Sequence, residues 1–262
     1  MEDHNIVGTK VARTDSLAKA LGSAKYAGDM VLPRMLYGKI LRSPHAHARI
    51  VSIDASKAER LPGVKAVVTG KDTAGVKWGI FKQTRDQYLL AIDKVRYAGE
   101  EVAAVAAVDE DTAEEALDLI EVEYDVLPSV LDPIEAMSEG APQIHDHAER
   151  NIGMRAFMHF GDADEGFKKA DYIYEDRFVT SKISHVQMEP YAVMASYDPS
   201  GKLDMWIPNQ SPFTKRRSLS NALRMPLSKI RVHHINIGGA FGGRSDPSPA
   251  EFCAALDRKS VV

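Results

Sequence analysis

Cysteine is almost missing from this chain: Cys253 is the only one in 262 residues. That excludes an internal disulfide, a structural zinc site built on cysteines and an iron–sulfur cluster held by the chain alone. No apolar run approaches the ~20 residues that a membrane-spanning helix needs. The first ten residues, Met1–Lys10, also lack the hydrophobic core of a secretory signal. Aromatics are sparse at 7%, beside 44% hydrophobic and 27% charged residues. That balance is globular and excludes a disordered, collagen-like or coiled-coil chain. A basic excess is lacking too, since the net charge is −4. Nucleic-acid binding needs a basic face, so nucleic acid and membrane are not expected partners. The expectation is a soluble cytoplasmic protein of one large or two ordinary domains.

The charge is unevenly placed. Residues 1–100 carry +7, residues 101–150 carry −14 and the rest +3. The acidic stretch reads as a solvated helix face followed by an acidic linker, with a docking surface for a basic partner as the lesser reading. Along the chain, MLYGKILRS, ARIVSID and VKAVVTG have strand character, with SKAERL as a short helix and Pro62-Gly63 as a turn. Residues 71–93 read as a long loop, and VRYAGEEVAAVAAV as a hairpin-like pair of strands around Ala98-Gly99. A helix starts after Asp109, with acids in its first turn and Ala113, Ala116, Leu117 and Ile120 as its apolar stripe. EVEYDVLP closes this unit as a strand, and Pro133, Gly140, Pro142, Gly153 and Gly161 break the stretch that follows. YIYEDRFVTS, YAVMASYD and KLDMWIP then read as three strands, FTKRRSLSNAL as a helix, KIRVHHINI as a strand and PAEFCAAL as a helix.

The densest local signal is Gly238-Gly239-Ala240-Phe241-Gly242-Gly243-Arg244-Ser245, between a strand and a helix. Two phosphate-binding templates nearly fit. Ala240 takes the middle glycine of a dinucleotide fingerprint, and Arg244-Ser245 stands where a phosphate loop needs Lys-Ser. Neither template is met. Glycines flanking Phe241 instead suit a backbone that passes close to a bulky ligand, with the phenyl ring as one apolar wall. Gln210, after a strand, is placed to donate and accept at the mouth of such a loop. The pairs His45/His47, His145/His147 and His233-His234 lack a third metal ligand in sequence and read as structural or surface residues. His185 and Glu189 lie in an extended or turning segment, where Glu189 reads as a buried cap on neighbouring backbone. No nucleophile elbow or serine triad is present.

Taken in order, these pieces resemble the large, molybdenum-binding subunit of the xanthine dehydrogenase/aldehyde oxidase family. The pieces are Ala24-Lys25-Tyr26 with Asp29, Leu41 through Ala48, Val95-Arg96-Tyr97, Glu101 through Val105, His185 through Pro190, Gln210 and the glycine loop. They span roughly residues 8–256, and bacterial separate-subunit members of the 4-hydroxybenzoyl-CoA reductase branch look most similar. The resemblance implies an α+β chain. An α/β hammerhead domain would cover 18–127, a connector 128–150 and an incomplete first part of the molybdopterin-binding domain 151–256. It implies a molybdenum–molybdopterin cofactor, in bacteria often the cytosine dinucleotide form. It also implies hydroxylation or reductive dehydroxylation of an aromatic, N-heterocyclic or aldehyde-like substrate. Electrons would leave through [2Fe-2S] and FAD on an iron–sulfur subunit and a flavin subunit, in a hetero-oligomer. Cofactor contacts map onto Gln210, Gly239, Ala240, Phe241, Gly242 and Gly243, and the substrate pocket onto Phe241 and Ser245.

Two departures matter. Ser245 stands where purine-oxidising members place a substrate-binding glutamate, which argues against a purine. The family's catalytic glutamate lies far beyond residue 262, so no catalytic residue or metal ligand is assigned and the 262-residue chain is expected to be inactive alone. Asp257–Val262 also reads as the translation of a common sequencing adapter, and the expectation is that these residues belong to no protein. The rival from another class is a non-catalytic hammerhead-type binding or assembly module. A third reading, a nucleotide-binding enzyme, requires Arg244 to reach a phosphate.

Overall fold

A computed structural model of the chain describes residues 8–73, 75–79 and 85–256. Residues 257–262, and with them the adapter reading, lie outside the described residues. The first unit opens with α1 (Ser16–Ala20), β1 (Tyr37–Arg42), β2 (Ala48–Asp54), α2 (Ser56–Glu59) and β3 (Val64–Thr69). It continues with the short strands β4 (Lys77–Trp78), β5 (Gln87–Tyr88) and β6 (Lys94–Val95), then β7 (Glu101–Ala107), α3 (Glu110–Asp118) and β8 (Glu121–Val126). Two three-stranded antiparallel sheets result, ordered β1–β7–β3 and β6–β2–β8.

The sequence of β7, EVAAVAA, is buried at every position, as suits a central strand with both faces covered. Its Ala103 and Val105 pack with Ala58, Ala116 and Ile120, so alanines on strand and helices let α2 and α3 approach the sheet closely. Asp109 caps α3 by accepting from the Thr112 N–H at 2.8 Å, and Glu110 and Asp111 fill the first turn against the helix dipole. The acids of this region meet the bases of the first hundred residues. Lys39 pairs with Glu110 at 2.5 Å and Glu114 at 2.7 Å, Arg42 with Glu101 at 2.6 Å, and Lys57 with Glu121.

The second unit follows α4 (Pro133–Ala136) and α5 (Ala163–Lys169). It comprises β9 (Met194–Tyr197), β10 (Leu203–Ile207), α6 (Pro212–Leu223), β11 (Ile230–His234) and α7 (Pro249–Leu256). Its sheet is ordered β11–β10–β9, with β10 and β11 parallel and α6 crossing over between them. Leu203, Met205, Ile207, Leu219 and Phe252 form its core, which also takes Leu89 and Trp78 from the first unit. The helix α7 serves both units. Phe252 points into that core, while Cys253 lies with Val68, Leu90 and Ala104 of the first unit. Burial, with the Glu101 charge second, pushes the Cys253 thiol up to about 12.

Three expectations from the sequence are corrected. β6 and β7 are not a hairpin: β6 pairs with β2, and β7 lies between β1 and β3. YIYEDRFVTS is not a strand either, for no described segment pairs with it and its backbone stays irregular. Alternating apolar residues make a strand only where another strand accepts their hydrogen bonds. The loop expected over 71–93 contains the antiparallel pair β4–β5.

Candidate functional site

The glycine loop leaves β11 and meets the extended segment 185–189. At Gly238 an added Cβ would lie 2.5 Å from the Glu189 Cβ, and at Gly243 one would lie 2.5 Å from Gln187 Nε2 and 3.0 Å from the His185 ring. At both positions a larger residue would displace side chains of the facing segment: Glu189 at its Cβ, and Gln187 and His185 at the amide and ring. Gln187 Nε2 donates to the Ala240 carbonyl at 3.1 Å, and the Gly238 N–H donates to Glu189 Oε2 at 2.9 Å. Glu189 therefore caps neighbouring backbone, as the sequence reading expected.

The tip of the loop is a tight turn in which the Gly243 N–H donates to the Ala240 carbonyl at 2.8 Å. Phe241 has φ +50° and Gly242 φ +92°, whereas Ala240 is not among the residues with positive φ. Val186, between the loop contacts His185 and Gln187, is also left-handed at φ +43°. A phenylalanine and a β-branched residue in this region are strained, and such strain concentrates where a ligand is held. The Phe241 side chain projects outward, 72% exposed. An added Cβ at Gly242 would meet only His185 Nε2, at 3.7 Å, so the backbone is open on that side.

Gln210 and Ser245 come together at the rim. The Gln210 N–H donates to the Arg244 carbonyl at 3.3 Å, Ser245 Oγ donates to Gln210 Oε1 at 3.3 Å, and Ser211 Oγ donates to the Ser245 carbonyl at 2.8 Å. These three bonds fix the strand-to-helix turn against the glycine loop. Among the described residues the Gln210 Nε2 donates to nothing, which leaves an exposed amide donor next to Ser245.

Beneath the loop lies a buried polar layer that sequence reasoning missed. Arg244 is 2% exposed, donates through Nη2 to the Glu189 carbonyl at 2.7 Å and sits over the Tyr191 ring at 4.7 Å. It faces inward, so the phosphate-binding role that the third reading required of it is not built here. Lys215 Nζ donates to Glu251 Oε1 at 2.5 Å and to the Asp246 carbonyl, and the Tyr191 hydroxyl donates to the same Glu251 oxygen. Burial raises the Tyr191 hydroxyl far above the usual phenol range, and the Glu251 carboxylate raises it further. Burial also raises Glu251, against the opposing pull of Lys215. These groups brace the loop from below.

The histidines divide as the sequence suggested, with one exception. His47 Nδ1 bonds the Pro128 carbonyl at 2.6 Å, while His45 packs edge-on to Tyr124 at 5.0 Å, so the two do not chelate. His233 stacks on Trp206 at 4.7 Å and bonds Asp204 at 2.6 Å. The exception is His145 and His147, which meet Asp86. Asp86 lies in a different, irregular part of the chain, and no local spacing signals the encounter. Burial lowers the His145 imidazole from its ordinary value, with the Asp86 charge opposing.

Residues 21–128 match the family model described as aldehyde oxidase and xanthine dehydrogenase, a/b hammerhead domain, and residues 144–260 match the molybdopterin cofactor-binding domain. The nicotinate dehydrogenase large molybdopterin subunit of Eubacterium barkeri is 38% identical over 260 residues, which is 97% of this chain and 59% of that one. The xanthine dehydrogenase molybdenum-binding subunit of Escherichia coli is 34% identical over 256 residues, 94% of this chain and 34% of that one. Among solved structures, quinoline 2-oxidoreductase of Pseudomonas putida superposes with a TM-score of 0.86 at 34% identity, over 97% of this chain and 33% of that one. The chain thus spans about three fifths of the Eubacterium relative and about a third of the other two. Among the described residues no helix is long and apolar enough to cross a membrane.

Proposed function

The chain belongs to the xanthine dehydrogenase/aldehyde oxidase family, as an N-terminal portion of a molybdopterin-binding large subunit, and on that footing we propose that it forms one wall of a molybdenum–pterin active site. The carrying observation is the rim where Gln210 bonds Ser245 and the Ser245 N–H bonds the Gly242 carbonyl, directly after the strained Phe241. An exposed amide donor, an apolar ring and an open stretch of glycine backbone fit one side of a large planar cofactor. With Arg244 turned inward, its guanidinium would not be among the groups that hold the phosphate of a cytosine dinucleotide form.

When bound, the molybdenum–pterin group supplies the two-electron chemistry. This chain's residues position and shield. Gln210 Nε2 would donate a hydrogen bond to an oxygen of the group, with its side chain oriented by Ser245 Oγ and its backbone held by the Arg244 carbonyl. Phe241 presents its ring to the substrate and keeps water from that side. Ser245 leaves the pocket neutral where a purine site needs a carboxylate. Relatives named for nicotinate and quinoline support an aromatic or N-heterocyclic ring carbon as the target. The reductive dehydroxylation of the 4-hydroxybenzoyl-CoA reductase branch is the other direction the same wall serves.

No group of this chain is assigned as the general base. Glu189 and Glu251 are both buried in contacts with the chain's own backbone and side chains. Turnover therefore needs further polypeptide, together with iron–sulfur and flavin subunits in a cytoplasmic hetero-oligomer. The Eubacterium relative is itself named a large subunit although this stretch fills 59% of it against 34% of the Escherichia one, so lengths within the family differ widely.

The test is co-expression of this chain with a polypeptide supplying the remainder of a large subunit and with the two electron-transfer subunits. The complex should retain molybdenum and oxidise an N-heterocycle, and the chain alone should turn over nothing. Gln210→Ala should keep the metal and lower kcat at least about tenfold, as loss of one preorganised donor does. Turnover by the chain alone, or an unchanged kcat in Gln210→Ala, would contradict the proposal.

A further inference from the structure

Away from the glycine loop, the connector and the first unit meet at a cleft of about 140 Å³ lined by Lys77, Asp86, Tyr88, Arg96, His145 and His147 among others. Asp86 Oδ2 lies 3.4 Å from His145 Nδ1 and 3.7 Å from His147 Nε2, and ligand atoms of all three residues lie within 4.8 Å of one another. We propose that Asp86, His145 and His147 form a binding site for a late first-row divalent metal ion, zinc by its ligand chemistry, which ties the connector to the hammerhead domain.

Geometry supports the assignment first. Zinc bonds imidazole nitrogen and carboxylate oxygen at about 2.0–2.2 Å, so tetrahedral ligand atoms sit roughly 3.4 Å apart. Two of the separations here are already close to that value, and the third closes by a small rotation of an imidazole. Two nitrogens and one oxygen suit zinc, cobalt or nickel far better than calcium or magnesium. The cleft leaves room for a water as fourth ligand.

The ion pairs around the cleft leave the Asp86 carboxylate to the histidines. Three cations line or border the cleft, and each has another partner. Lys94 pairs with Asp146 at 2.9 Å, Arg96 with Asp93 at 3.6 Å and the Lys94 carbonyl at 2.8 Å, and Lys77 lies over the Tyr88 ring at 4.9 Å. Among the described residues, Asp86 is left with the two imidazoles alone. A carboxylate facing two imidazole nitrogens is the arrangement that a shared cation stabilises.

Preorganisation is the third support. Gln143 Nε2 donates to the carbonyls of His145, at 2.7 Å, and Ala148, at 2.5 Å. Asn151 accepts from the Ile144 N–H at 2.8 Å and donates to the carbonyls of Ala136 and Pro142, both at 2.9 Å. The short loop holding both histidines is thereby fixed before any ion arrives, as outer contacts fix ligands in metal sites.

The full 262-residue chain, stripped with a chelator, can be titrated with Zn²⁺ by calorimetry and with Co²⁺ by visible absorption. One equivalent per chain, a tetrahedral cobalt spectrum and a zinc-dependent rise in the melting temperature are expected. Asp86→Asn and His147→Ala should each weaken binding at least about tenfold, and His147→Cys should retain it. His159→Ala, on an exposed segment, should change nothing. Asp86→Asn keeps the side-chain shape, so lost binding with an unchanged circular dichroism spectrum reports the ligand and not the fold. Absence of saturable binding would overturn the site, as would binding that survives the His145→Ala/His147→Ala double substitution.

Discussion

The polar layer beneath the glycine loop is held by individual residues that have no alternative partner. Lys215 and Glu251 are both fully buried, and their pairing at 2.5 Å is completed by the Tyr191 hydroxyl and the Asp246 carbonyl. Removing one charge strands the other in a medium that solvates it poorly. Lys215→Met should therefore cost about 3–5 kcal/mol in urea unfolding, and Lys215→Met combined with Glu251→Leu should recover most of that loss. A double variant no better than the single one would contradict the assignment. At this scale the sequence was informative where a backbone constraint left its mark. Glu189 reads correctly as a cap, and the four glycines around Phe241 mark a turn crowded by Glu189, Gln187 and His185. The inward turn of Arg244 left no such mark, because Arg-Ser after a glycine pair has the same local pattern whether the guanidinium meets a phosphate or the Tyr191 ring. Asp86 was invisible for the same reason, its partners lying about sixty residues away.

Elements with strong local chemistry were legible, and those defined by distant pairing were not. The helix α3 declared itself through Asp109, its first-turn acids and its alanine stripe. The Asp109 carboxyl is held below its ordinary range by its bonds to the Thr112 side chain and N–H. The folded state thus binds fewer protons at this group than the unfolded chain. Its contribution is present above the ordinary carboxylate range and is lost as the pH falls through the lowered folded value. Asp109→Ala should accordingly lower the melting temperature at pH 7, and the gap to the wild-type chain should narrow as the pH falls below about 4. A gap that stays constant with pH would show that the cap is not carried by the carboxylate. By contrast, β6 and β7 are adjacent in sequence yet pair with different strands, and residues 172–181 alternate like a strand without a described partner. Strand identity depends on what lies alongside, which a single sequence does not display.

The whole molecule is two units interlocked through α7 and through Trp78 and Leu89, with one large surface left unsatisfied. Between residues 157 and 188, Phe157, Phe160, Tyr172, Phe178, Ile183 and Met188 are all exposed, Tyr172 to 95% and Met188 to 94%. Monomeric proteins seldom present so many large apolar side chains on one stretch of chain, which fits the proposal that further polypeptide completes the site. The same segment runs on into His185–Glu189, which touches the glycine loop. Two domains of known type were legible in the ordered motifs. The bare surface was not, since YIYEDRFVTS promised a strand and hence a covered face.

The most direct test of this account is hydrogen–deuterium exchange, read on peptides covering 171–191 and 238–245. It would compare the chain alone with the chain assembled with the remainder of a large subunit and its molybdenum cofactor. The account predicts fast exchange over 171–191 in the isolated chain and strong protection of both stretches in the assembly, with residues 101–107 of the hammerhead sheet protected in each state. Equal exchange of 171–191 and 238–245 in the two states would mean that neither the exposed segment nor the glycine loop meets a partner or cofactor, and the proposed active-site wall would fall.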